Sequence, residues 1–145
     1  MGVEENRAIV ERFAQVWSAG NLRVVDELAA PDLVVNYAGF PEEIHGPEAY
    51  KRFLNDGWYS AFPDVKTSVE ELVAEGDMVA SRWICRGTHH GEYAGIPPTG
   101  KPFQLNGMTI CRVANGKVVE ERGVGDALGV MQQLGVIPQA EQAPA

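Results

Sequence analysis

The chain has 145 residues, 45% of them hydrophobic and 22% charged, enough for one packed domain of ordinary soluble composition. Twenty acidic against 12 basic residues give a formal charge of −8, which disfavours phosphate backbones and anionic bilayers, so neither a nucleic-acid nor a membrane partner is expected. Cys85 and Cys111 lie in no CxxC or His-rich pattern; they read as reduced, packed thiols of a cytoplasmic protein, and no secretory leader or membrane-length apolar run stands against that location.

Ile9, Val10, Phe13, Val16 and Trp17 recur at helical spacing, and Gly20 follows where a left-handed cap would close the helix. Asn21 is placed to cap a short second helix carrying Val24, Val25 and Leu28, with Pro31 stopping it. Residues 33–37 read as a short strand. Pro47 suits a first helical position, and Tyr50, Phe53 and Leu54 begin an apolar stripe running on toward Trp58 and Phe62. From Val65 the pattern alternates, and the turn at 75–77 leads into a second long strand. After the Gly/Pro-rich loop GIPPTGK, residues 103–113 alternate again, and Asn115-Gly116 marks a hairpin whose return strand runs from Lys117 to Val124. This order predicts an α+β fold in which N-terminal helices pack on the concave face of a curved antiparallel sheet, leaving an apolar pocket between the layers. One domain is expected over residues 1–137, followed by a flexible tail over 138–145.

The segments GTHHGEYAGIPPTGK (87–101), NGKVVEERGVGD (115–126) and LGVMQQLG (128–135), with the N-terminal pattern from Phe13 through AGNLRVVDELAAPDLVVNY, resemble the SnoaL-like polyketide cyclases, a branch of the nuclear transport factor 2-like superfamily. The resemblance implies a cone-shaped α+β barrel, a homodimer formed through the outer sheet face, and no metal or organic cofactor. It also implies a single acid near the end of the last strand acting as acid/base in an intramolecular aldol ring closure, and Asp126 holds the matching position. Many relatives carry a tryptophan four residues before that acid, where this chain has Arg122.

Asp126 stands where the last strand gives way to a helix, so it can cap the helix, serve as an acid/base group, or do both if one oxygen caps. Period-two alternation puts Arg122, Val124 and Asp126 on one face, expected to be concave, with Arg122 available to orient a substrate oxygen. Asn36 matches a polar residue that lines the cyclase pocket and is expected to hydrogen-bond a carbonyl or enolate oxygen. Trp17, Tyr37, Trp58 and Met108 suit a flat apolar ligand, although such side chains also serve as plain core packing. His90 is expected at the pocket rim; His89 and His90 face opposite sides of a strand and no third histidine is suitably placed, so no metal site is expected. The expected activity is cyclisation of a small apolar carbonyl compound. Epoxide hydrolysis or isomerisation on the same scaffold, and a non-catalytic ligand-binding or regulatory dimer, are the alternatives.

Overall fold

The computed structural model describes residues 2–138; the tail expected over 138–145 lies, beyond Pro138, outside them. The elements run α1 (Val3–Phe13), a 3-10 turn (Ala14–Trp17), α2 (Arg23–Leu28), β1 (Ala29–Tyr37), β2 (Ile44–His45), α3 (Pro47–Arg52), a π-helical turn (Phe53–Tyr59), β3 (Lys66–Glu75), β4 (Met78–Thr88), β5 (Pro102–Ala114), β6 (Lys117–Gly125) and α4 (Ala127–Gln133). The strands form one sheet in the order β2-β1-β6-β5-β4-β3. Every neighbouring pair is antiparallel except β1 with β6, which run parallel. This is the expected α+β cone, with helices covering one face of the curved sheet.

Physical chemistry accounts for the joints. Asn115 and Gly116 take positive φ of 52° and 75°, the pair of left-handed conformations a two-residue hairpin turn requires. Pro47 opens α3, where a missing N–H costs nothing. The expected long third helix instead widens after Arg52 into a π turn, an irregularity common at functional sites; here it aims Phe53, Gly57 and Trp58 toward the interior. The first strand is longer than expected, starting at Ala29 directly after α2, and the two-residue β2 lies just before α3.

One continuous core joins the layers. Phe13, Val16 and Val25 from the helices meet Leu33, Val35, Val79, Val113 and Val118 from the sheet, with Tyr50, Leu54 and Phe62 fully buried between them. Truncating a ring such as Phe62 to alanine would cost about 3–5 kcal/mol. Both cysteines are buried and free, and burial pushes the Cys85 thiol up to about 12.

Candidate active site

A bulge in β6 decides which side chains reach the interior. The β5–β6 pairing steps from Val113 with Val118 to Arg112 with Glu120, leaving Val119 as an extra residue, and one inserted residue reverses every later side chain. Val118 faces the core, but beyond the bulge the inward residues are Glu121, Gly123 and Gly125. Glu120, Arg122 and Val124 turn outward. The expectation that Arg122, Val124 and Asp126 share the concave face is therefore corrected. The signal was present in the doublets Val118-Val119 and Glu120-Glu121, which break strict alternation.

The bulge separates the predicted site residues into two groups. Trp17, Tyr37 and Trp58 line the interior cavity. Arg122, its side chain 68% exposed, pairs with Glu120 at 3.1 Å on the outer face. Asn36, its neighbour across the parallel pair, borders the same shallow outer groove. Neither can orient a ligand held in the cavity. Met108 is 55% exposed and sits opposite Val124 on the outer face, so it too is corrected from pocket to surface. His90 is exposed; its backbone N–H holds the Ala61 carbonyl at 3.0 Å, and its side chain does not line the cavity.

Asp126 caps α4. The Gly129 N–H donates to its Oδ1 at 2.9 Å, satisfying one of the orphan donors of the helix start. Its Oδ2 has no hydrogen-bond partner among the described residues. Asp126 is exposed and borders an outer groove with Met108 and Val124. Its two chain neighbours, Gly125 and Ala127, both line the cavity, so the cap stands on a ridge between the two spaces.

The cavity measures about 190 Å³, somewhat more than the ~150 Å³ space that holds a benzene ring. Its dimensions suit one or two rings of a flat molecule. Trp17 and Trp83 stack at 5.8 Å and 21°, Trp17 meets Trp58 and Tyr37 edge to face, and Phe53 and Phe40 complete the aromatic wall. Opposite them, Gly123 and Gly125 offer bare backbone. A Cβ at Gly123 would meet the Tyr37 ring at 3.2 Å, and one at Gly125 would meet Leu105 at 3.1 Å. The loop after β4 closes the far side with Tyr93 and Ala94. It docks because Gly91 has no side chain: a Cβ there would lie 2.0 Å from the Ser60 carbonyl oxygen.

Polar hydrogen bonding at the cavity is sparse. Trp58 donates its indole N–H to the Trp17 carbonyl at 2.9 Å, and Trp83 donates to Thr109 Oγ1 at 2.6 Å. No Asp, Glu, Lys, Arg or His lines the cavity among the described residues. Behind Tyr37, however, lies Glu121, 3% exposed. Its Oε2 is hydrogen-bonded by the hydroxyls of both Tyr37 and Tyr50 (2.9 Å from Tyr50), and those hydroxyls are 2.6 Å from each other. The Cys111 thiol approaches Oε1 at 3.7 Å. Burial raises the Glu121 carboxyl above its ordinary value of 4.5, opposed by the hydrogen bonds from Tyr37, Tyr50 and Cys111. Burial, with the Glu121 charge next, also holds both phenols well above their usual range. Sequence reasoning missed this group because alternation without the bulge put Glu121 outside.

Among the described residues no helix is long and apolar enough to cross a membrane, and no cluster of three or more His, Cys, Asp or Glu is arranged to hold a metal.

An α+β cone with helices over a curved sheet and an aromatic cavity between them defines the nuclear transport factor 2-like class. A family model described as SnoaL-like polyketide cyclase matches residues 7–134, and the chain belongs to that family. It is 31% identical over 126 residues to the nogalonic acid methyl ester cyclase of Streptomyces nogalater, covering 85% of this chain and 92% of that one. It is 26% identical over 135 residues to the aklanonic acid methyl ester cyclase AcmA of Streptomyces galilaeus, covering 92% of each. Among solved structures, AclR, a proposed hydroxylase from Streptomyces galilaeus, superposes with a TM-score of 0.82 at 27% identity, covering 97% of this chain and 87% of that one. IdmH, a proposed polyketide cyclase from Streptomyces antibioticus, gives 0.73 at 32% identity, covering 90% and 98%. One scaffold thus carries more than one proposed chemistry, and the function has to be argued from the site.

Proposed function

We propose that the protein is a cofactor-independent cyclase that closes a ring by an intramolecular aldol step on a small, mostly apolar carbonyl compound such as a polyketide ester. The observation that carries this reading is the aromatic cavity walled on one side by bare β6 backbone, a slot matched to a flat, conjugated molecule rather than to a charged one. The methyl ester cyclases among its relatives supply the substrate class.

In this reading Asp126 is the base. Its Oδ2, without a hydrogen-bond partner among the described residues, can accept a proton while Oδ1 keeps the cap, and both of its neighbours line the cavity. It takes the proton from a carbon flanked by carbonyls. The resulting enolate carbon attacks a second carbonyl of the same molecule, and the oxygen of that carbonyl takes up a proton. One C–H bond breaks, one C–C and one O–H bond form, and the mass is unchanged. Incubating the protein with a panel of linear β-keto methyl esters should give cyclised products of identical mass, with turnover falling about a hundredfold or more in Asp126→Asn. A parallel epoxide panel, where opening adds one water, tests the hydrolase alternative.

A second reading has its own support. With Asp126 capping α4 from an exposed ridge and no carboxylate in the cavity wall among the described residues, the same architecture serves a ligand-binding protein without chemistry. Tight binding of aromatic carbonyl compounds with no conversion would favour it. A homodimer through the outer sheet face is part of either reading, supported by the exposed apolar side chains Met108, Ile110 and Val124 there; sedimentation at several concentrations tests it.

A further inference from the structure

Past the end of β1, the edge of β6 runs on alone, and one backbone donor there is left over. In an antiparallel ladder successive residues direct their N–H and C=O alternately toward the partner strand and away from it. Asp126 donates its N–H to the Asn106 carbonyl at 2.9 Å, so it faces β5. Gly125, opposite Gly107, therefore faces the other way, toward β1. Gly123 shares that direction and is satisfied, its carbonyl accepting the Ala38 N–H at 2.9 Å. At Gly125 the neighbouring strand is gone. The last β1–β6 pair is Tyr37 with Gly123; the chain then turns off, with Gly39 at a φ of 92° and the Phe40 N–H folded back onto the Tyr37 carbonyl at 3.0 Å. The Gly125 N–H has no hydrogen-bond partner among the described residues.

The gap that β1 leaves is the cavity. Ala38 and Phe40, just past the strand, line it together with Gly123, Gly125 and Ala127. The outer groove that also touches Gly125 lies on the opposite side, walled by β4, β5 and residues 124–126, so the unpaired N–H points to the cavity and away from the groove. The backbone does not demand glycine here, because the φ of Gly125 is not positive. A Cβ would instead press on Leu105, another wall residue, at 3.1 Å, and without one a ligand edge can approach the amide closely. We propose that the Gly125 N–H is the cavity's hydrogen-bond donor to a carbonyl or enolate oxygen, which makes the ligand a flat ring bearing a carbonyl at its edge. A ligand that covers this amide without bonding to it strands a donor away from water; a carbonyl oxygen removes that cost and a hydrocarbon of the same shape does not. The donor is fixed in a strand, so it needs no reorganisation as charge grows on the oxygen. Asp126 follows it in the chain, so the carbonyl that acidifies a C–H bond and the carboxylate that takes its proton meet consecutive residues. This rests on the cavity being the ligand site but not on ring closure being the reaction.

The test is a backbone NMR titration of the isotope-labelled protein with indanone and with indane, the same bicycle without the carbonyl. Both probes should shift the indole signals of Trp17 and Trp58, but only indanone should move the Gly125 amide proton downfield and slow its exchange with water. Two variants then isolate the donor. Gly125→Pro removes the N–H without breaking a ladder hydrogen bond, and Gly125→Ala adds a Cβ while keeping the N–H. The ratio of indanone to indane affinity should be roughly fivefold lower in Gly125→Pro than in Gly125→Ala. A Gly125 amide that indanone leaves unmoved while the indole signals shift, or equal ratios in the two variants, would overturn the proposal. Should Gly125→Pro fail to fold, the wild-type amide still decides. Indole signals that neither probe shifts would remove the cavity as the ligand site and the proposal with it, whereas failure to convert any β-keto ester would strike the cyclase reading alone.

Discussion

The two faces of β6 are built from adjacent residues and do opposite work. The outer face carries Glu120, Arg122 and Val124, an ion pair and an exposed apolar side chain in water. The inner face carries Glu121, Gly123 and Gly125: a carboxyl without a cationic partner among the described residues, then bare backbone against aromatic rings. Residue type alone does not explain the contrast, since two neighbouring glutamates fall on opposite sides of it. Position relative to one inserted residue, Val119, does.

Shifting the strand by one residue beyond the bulge should break the contrast most severely. Inserting an alanine between Glu120 and Glu121 would drive Arg122 and Val124 inward and expel Glu121, placing an unpaired guanidinium against Trp17 and Tyr37, whereas deleting Val119 would only straighten the ladder and leave each side chain on its present face. The expected cost of the insertion exceeds about 4 kcal/mol, enough to prevent folding at 37 °C, and circular dichroism of the purified variant would show it. Retention of a native melt would mean the bulge can absorb the extra residue.

On the ridge between the faces, Asp126→Asn separates chemistry from capping. Asparagine caps helices as well as aspartate does, so melting should shift little while turnover drops about a hundredfold, close to 3 kcal/mol of transition-state stabilisation. Unchanged turnover would take Asp126 out of the mechanism and leave it a structural cap.

Much of this molecule was legible from its residues. Phe13, Val16 and Val25 marked the helical layer, Asn115-Gly116 the hairpin, and the alternation after Val65 the long strands, because those features depend on local periodicity and turn chemistry. Trp17, Tyr37 and Trp58 line the interior cavity. The misplacements of Asn36, Arg122 and Met108 have other causes. Alternation gives two faces and not which one is covered, and a bulge inverts the answer partway along a strand. The π turn at Phe53–Tyr59 and the parallel pairing of β1 with β6 depend on tertiary packing, which no short window of sequence contains.

The inner face also makes a pH prediction. The carboxyl of Glu121 has a higher pKa folded than unfolded, so the unfolded chain releases its proton first. Stability from this residue is therefore complete below the ordinary carboxylate range and declines as pH rises through the folded value. Denaturant melts at a series of pH values should show that decline in wild type and a flatter profile in Glu121→Gln. A wild-type profile no steeper than that of the variant would mean Glu121 is already ionised in the folded protein.

The outer face should be nearly indifferent. Arg122→Ala removes an exposed pair with Glu120 and should change stability by less than about 0.5 kcal/mol, with ligand affinity unaltered. A large loss of affinity would return Arg122 to the site despite its outward direction.

The most direct measurement is a crystal structure of the protein with a β-keto ester or 2-naphthol bound. The ligand ring should lie between the Trp17 and Trp58 rings and the Gly123–Gly125 backbone. A ligand found instead in the outer groove beside Met108, Val124 and Asp126, with the interior cavity empty, would contradict the assignment of the inner face as the functional one.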